Sequence, residues 1–180
     1  MQEKGEWGGR RDCWEWVEGG VTSVVGVVRL FTFRVRVGNV NGRSMEDTIH
    51  NEDKVLLTNL FYEPENGDVV VISRAQHFEE PIIKRVIATE GQTLKIDFNT
   101  GDVYVDGVLL DEPYIKTPTT DNEGGEIPEV IPEGYVFVMG DNRGNSLDSR
   151  SEQIGLIDKR NIIGKAQYIV FPFDRIGGIG

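Results

Sequence analysis

Between Lys54 and Phe171 the apolar residues come in short, largely β-branched runs, each closed by a turn signal, and this spacing constrains the fold more than any other feature. Lys54–Leu57 and Asp68–Ser73 flank "YEPENGD", whose Pro and Asn-Gly mark a turn. Ile82–Ile87 reads the same way but holds two cations. Leu94–Phe98 and Val103–Val105 alternate and should pair, and Asp106-Gly107 makes a tight hairpin into Val108–Leu110. Tyr135–Met139 reads as a buried strand. The run Ile162–Phe171 is expected to close the sheet, with "FPFDRIGGIG" trailing off. Thr117–Gly134, punctuated by Pro118, Gly124, Gly125, Pro128 and Pro132, reads as a long polar loop, either a surface insertion or a mobile flap. The fold class is mainly β with few helices, and 22 Gly and 7 Pro agree with that.

The N-terminal segment differs. From Val17 to Val35 it is rich in Val, Leu and Phe, yet its longest uncharged run, Gly19–Val28, has 10 residues where a span needs about 20. Ten Val, Leu and Phe contribute roughly −3 to −6 kcal/mol to insertion, and a central Arg29 costs about 2.5 to 3.5. Insertion is marginal. Trp14 and Trp16 suit an interfacial anchor, with Arg34 and Arg36 able to snorkel, but an amphipathic helix or an exposed first strand fits as well. The late apolar region is unlike a cleavable secretory signal. The chain divides near residue 36, into segments 1–36 and 37–180.

A net charge of −11 and a pI near 4.7 argue against a nucleic-acid partner, because phosphate binding needs clustered Lys and Arg. The first 43 residues hold seven basic and five acidic side chains, a net of +2, which leaves −13 for the rest. Cys13 is alone, so no intramolecular disulfide or thiolate cluster can form. His50 and His77 lack partners at metal-ligand spacing and read as solvated loop residues; no metal and no cofactor is expected.

Chemistry is therefore left to serine and lysine. Lys84 lies in an otherwise apolar strand, where burial disfavours the ammonium. Lys84 and Arg85 could equally decorate an edge strand, one of them facing outward. Ser44 in "NVNGRSMEDTI" follows Gly42, which permits tight backbone geometry, while Met45 and Ile49 can anchor the turn in the core. The same serine could be the N-cap of a Ser-x-x-Asp helical turn. The polar stretch "GDNRGNSLDSR", residues 140–150, starts at the edge of a core strand.

Ser44-Met45, Lys84-Arg85, and Gly140-Asp141-Asn142-Arg143 with Ser146, Asp148, Ser149 and Arg150 together resemble the type I signal peptidases, in order, in the 40-residue Ser-to-Lys interval and in the preceding apolar segment. The resemblance covers residues 14 to 173. It implies a membrane-anchored serine endopeptidase that cuts signal peptides from exported preproteins, with a signal-peptidase-like β-rich catalytic domain over 37–180. Residues 1–36 would then be a cytoplasmic tail and a marginal single-pass anchor in the cell membrane, with the catalytic domain on the extracytoplasmic side. Ser44 would be the nucleophile and Lys84 its general base. Ser146 would orient the lysine. Asp148, Arg150 and Arg85 would form ion-pair support, with Asp141, Asn142 and Arg143 shaping the loop.

Several positions depart from the family pattern. A hydroxyl that helps stabilise the oxyanion in some members is Gly42 here, the usual Pro after Ser-Met-x is Asp47, and Glu90-Gly91-Gln92 replaces Pro-Gly-Asp. An extended substrate could pair with the strands flanking the site, with Val40, Met45 and Ile83 as pocket walls and small residues such as Ala favoured at −1 and −3. Alternative readings are an inactive peptide-binding relative and a cytosolic Ser/Lys self-cleaving regulator. Against the latter stand the missing DNA-binding module and the acidic catalytic region.

Overall fold

The computed structural model describes residues 7–59, 62–75, 77–78 and 80–179. Side chains of residues 7–13 and 28–35, and with them the readings made for Cys13, Arg29 and Arg34, lie outside the described residues. The chain forms two compact units, Met1–Arg36 and Val37–Gly180.

Helix α1 (Trp7–Arg34) runs through the first unit. Among the described residues no helix is long and apolar enough to cross a membrane. Trp14 and Trp16 are exposed, as are Val17, Val21, Val24, Val25 and Val27.

The second unit is built on strands: β1 (Val35–Asn39), β2 (Lys54–Thr58), β3 (Val69–Ile72), β4 (Ile82–Thr89), β5 (Leu94–Asp97), β6 (Asp102–Val105), β7 (Val108–Leu109), β8 (Tyr135–Met139), β9 (Ile157–Asp158), β10 (Ile162–Phe171) and β11 (Gly177–Gly178). The large sheet has the order β1-β2-β10-β3-β4-β8-β9, with β11 added to β10. A small antiparallel sheet, β5-β6-β7, carries the expected Asp106-Gly107 hairpin, with both turn residues at positive φ.

Two expectations about the C-terminus are corrected. The run Ile162–Phe171 does not close the sheet at an edge: β10 is internal, its first residues paired with β3 and its later ones with β2. Nor does the tail simply trail off, because Gly177 and Gly178 pair with Ile169 and Tyr168.

Strands β4 and β8 are covered on both faces. Val86, Val136 and Val138 join one core cluster with Val70, Ile72, Ile154 and Ile157, whereas Ile87, Ala88, Phe137 and Met139 join a second with Leu94, Val103 and Ile131. Alternating residues of one strand thus feed two cores. At roughly 1.5 to 3 kcal/mol per buried Val, Ile or Phe, this pair of strands anchors the domain.

The same two-sided burial decides between the readings of Lys84 and Arg85. Neither faces outward: Lys84 is 4% and Arg85 1% exposed. The 117–134 segment is a loop exposed at most of its residues, but it is tied to the domain by backbone hydrogen bonds. Leu94 N–H donates to Glu129 O (2.9 Å), Ile131 N–H to Gln92 O (2.9 Å) and Gly125 N–H to Arg150 O (2.8 Å). Thr119 and Ile131 are buried. Fixed at both ends and in the middle, it is a strap over the 140–151 region. His50 is likewise not a solvated loop residue; it is half-buried and its Nδ1 is buried without a hydrogen-bond partner, while His77 is exposed as expected.

Candidate active site

Ser44 opens a tight turn in which Ile49 N–H donates to Met45 O (2.8 Å), with Met45 and Ile49 sunk in a core of Val40, Val55, Leu57, Val69, Ala166 and Ile169. Gly42, at φ +114°, gives its N–H to Asn51 Oδ1, a backbone conformation that an L-residue rarely adopts. From β4, Lys84 reaches the same turn. Its Nζ lies 2.7 Å from Ser44 Oγ and donates to Ile83 O at 3.1 Å. Burial pushes the Lys84 ammonium down to about 8, against the carboxylates of Asp148, Glu123 and Asp141, which hold it up, and with a smaller push downward from Arg150.

The stretch after β8 wraps this pair. Asn142 donates its backbone N–H to Ser44 O (3.0 Å) and its side-chain amide to Arg43 O (3.1 Å), and Thr48 Oγ1 donates to Asp141 Oδ2. Residues 141 and 142 therefore hold the turn that presents Ser44. Ser146 Oγ donates to Asp148 Oδ2 (2.8 Å), not to Lys84, so the expected orienting bond to the lysine is replaced by one to the acid beneath it.

Among the described residues three arginines are buried, and of the expected ion-pair support Asp148 takes Arg150, while Arg85 goes to Asp141. Arg85 forms a two-pronged pair with Asp141, both bonds 2.8 Å, donates to Gly67 O (2.7 Å) and stacks on Tyr114 at 3.9 Å. Arg150 binds Asp148 with Nε and Nη2, each 2.9 Å from a carboxylate oxygen. Arg143 binds Glu112 with Nη2 at 2.6 Å and donates to Gly140 O and Thr119 Oγ1. Asp148 also accepts from Gly140 N–H (3.0 Å) and Arg150 N–H (3.2 Å), so its charge is solvated entirely by protein.

Of the expected pocket walls, Val40 and Met45 are core members, and Ile83 alone keeps some exposed surface. Glu112, Tyr114, Thr119 and Thr48 were not singled out in the sequence. One signal was available: Arg85, Arg143 and Arg150 near a core need three acids, and "GDNRGNSLDSR" supplies two, so a third had to come from elsewhere. Among the described residues no group of three or more His, Cys, Asp or Glu is arranged to hold a metal ion.

Gly140 is the tightest point. A Cβ there would collide with Ser146 Oγ and Ser44 O, and would come within 2.6 Å of Ser146 Cβ. Gly140→Ala is expected to cost about 1 to 3 kcal/mol of stability and to displace the Ser44 turn, lowering kcat/KM more than the melting temperature alone explains. Thermal melting and cleavage assays on the same variant check this, and unchanged kinetics would count against the close approach.

A family model described as signal peptidase, peptidase S26, matches residues 13–171. Signal peptidase I of Bacillus licheniformis is 31% identical, with 98% of each chain covered. In Synechocystis, probable signal peptidase I-1 is 39% identical over 76% of this chain and 71% of that one, and probable signal peptidase I-2 is 32% identical over 90% and 76%. With a match running from the first quarter of α1 through β10 and relatives aligned almost end to end, the chain belongs to the signal peptidase family, peptidase S26, and is by that membership a serine endopeptidase.

Proposed function

We propose that this chain removes signal peptides from exported preproteins with Ser44 as nucleophile and Lys84 as general base. The observation that carries the reading is the 2.7 Å approach of Nζ to Oγ at a lysine buried by both faces of the sheet and pushed to about 8. At pH 7 about one molecule in ten then holds Lys84 neutral, against one in a few thousand for an ordinary lysine. The neutral Nζ takes the Ser44 proton as Oγ attacks the scissile carbonyl carbon, and the Ser44 N–H faces the developing oxyanion. The ammonium returns that proton to the leaving amine. Water, deprotonated by the same lysine, then cleaves the acyl-serine ester and restores the hydroxyl.

Asn142 and Asp141 hold the nucleophile turn, and Asp148 with Arg150 and Ser146 supports the lysine from behind. An extended substrate pairs its backbone with the chain beside Val40 and with β4, and the half-buried Ile83 and Val71 offer only shallow room, which favours small side chains at −1 and −3. Association with lipid is assigned to α1, through the exposed Trp14 and Trp16 and the exposed valines that follow them.

The test is cleavage of a preprotein carrying an Ala-x-Ala site, followed over pH. The kcat/KM profile is expected to rise through a limb near pH 8, the region of the Lys84 titration, and to fall when either Ala is enlarged to Phe. A limb near pH 10 would remove Lys84 as the base, and absence of cleavage by a folded protein would shift the reading to a peptide-binding relative.

A further inference from the structure

The strap over residues 117–134 brings a carboxylate to the Asp148–Arg150 pair, whose neighbour Ser146 lies across Gly140 from the Ser44 turn. Residues 121–125 are docked on Arg150: its Nη1 donates to Asp121 O (3.2 Å), its carbonyl accepts from Gly125 N–H (2.8 Å), and a side chain at Gly125 would come within 2.6 Å of that carbonyl. Inside this docked stretch Glu123 turns inward. Its Oε1 lies 3.5 Å from Arg150 Nη2, and its Oε2 is buried without a hydrogen-bond partner.

A carboxylate oxygen left unpartnered out of water destabilises the fold, and a polar loop offers easy alternatives in solvent. Arg150 is already neutralised by Asp148, so Asp148, Arg150 and Glu123 together carry one uncompensated negative charge. The charged groups that act on Lys84 are Asp148, Glu123 and Asp141, which favour the ammonium, and Arg150, which opposes it. Asp141 is itself matched by Arg85. Burial and the Asp148 carboxylate push the Glu123 carboxyl up.

We propose that Glu123 is a positioning residue for the Ser44–Lys84 reaction: its uncompensated charge, carried in by the strap and held on Arg150, tunes Lys84 as the base. The inference rests on the assignment of Lys84 as general base. Burial alone would leave the lysine a weak base, neutral but reluctant to accept the Ser44 proton. A charged Glu123 restores basicity and stabilises the ammonium formed as Oγ attacks.

The experiment is the pH dependence of kcat/KM of the full chain on a preprotein substrate, for the wild type, Glu123→Gln and Glu123→Asp, with Ser44→Ala and Lys84→Ala alongside. Glu123→Gln is expected to move the ascending limb to lower pH by about half a unit, which raises the fraction of plateau activity below the limb about threefold, and to lower the plateau itself. Glu123→Asp keeps the charge and restores most of the limb's position. An unmoved limb in Glu123→Gln, or equal movement in both variants, overturns the proposal. Glu123→Gln keeps an amide oxygen toward Arg150 and the Asp148 N–H and is expected to fold with a melting temperature within a few degrees of the wild type, and failure to fold would show a structural support and also overturn it. Turnover by Ser44→Ala or Lys84→Ala would fell the reading of the site and this inference with it. Dead dyad variants beside an unmoved limb would fell only the role of Glu123.

Discussion

Ser44→Ala and Lys84→Ala are each expected to lower kcat/KM on a preprotein by at least about a thousandfold, with the double variant no worse than either single one. The non-additivity follows from the chemistry, since a base without its nucleophile, or a hydroxyl without its base, leaves only substrate binding and the oxyanion donor. Stability should respond differently. Holding a buried ammonium at neutral pH costs the folded wild type about 3 kcal/mol, from a lysine lowered from 10.5 to about 8. The sign follows: between those two values the unfolded chain binds more protons, so wild-type stability rises with pH across that window. Lys84→Ala removes this dependence and replaces the penalty with a cavity of similar cost, about 2 to 5 kcal/mol. Its melting temperature near neutral pH should therefore move by only a few degrees while turnover disappears. Melts from pH 7 to 10.5, run beside the cleavage assay, read both effects. Retained turnover in Lys84→Ala would sink the assignment.

The largest structural effect is expected at Asp148. Asp148→Asn takes away the two 2.9 Å bonds to Arg150 and leaves its charge only the Glu123 carboxylate at 3.5 Å, beside a neutral amide that also cannot accept as well from Gly140 N–H and Ser146 Oγ. Removing one partner of a buried pair costs about 3 to 5 kcal/mol, which for a domain of this size is a fall in melting temperature of roughly 10 °C. Asp47→Asn is the control. Asp47 meets Lys116 at 3.3 Å but is largely exposed, so its loss should change stability by less than about 1 kcal/mol. Equal melting temperatures for Asp148→Asn and wild type would show that the ion pair is not what holds the loop to β8.

The strands were readable because each short apolar run has a period and a stop. The pairing of Leu94–Asp97 with Asp102–Val105, and the buried Tyr135–Met139, follow from local pattern alone. The position of Ile162–Phe171 inside the sheet was not readable, because a two-sided strand and an edge strand of that length look alike until their neighbours are known. The site divides the same way. Ser44 and Lys84 were candidates by residue type, each with a structural alternative, until the family resemblance paired them, and the structure brings them to 2.7 Å. Which acid meets which arginine was missed, because Asp141, Asp148, Glu112 and Glu123 are equivalent as letters and differ only in the direction from which each segment arrives. The Thr117–Gly134 loop looked free because its ties are backbone hydrogen bonds, which any residue can make.

The internal position of β10 bears on when the enzyme becomes competent during synthesis. Within the large sheet, β1 and β2, which flank Ser44, are joined to β3 and β4, which carry the lysine, only through β10. A chain still emerging from the ribosome has both halves of the site but nothing in the sheet to register them against each other. Such non-local pairing is slow to nucleate, because the loop entropy is lost before the contacts form. Until residues 162–171 are released the sheet lacks the strand that joins its two halves, and the ties between the Ser44 turn and β4 are those made through residues 141 and 142.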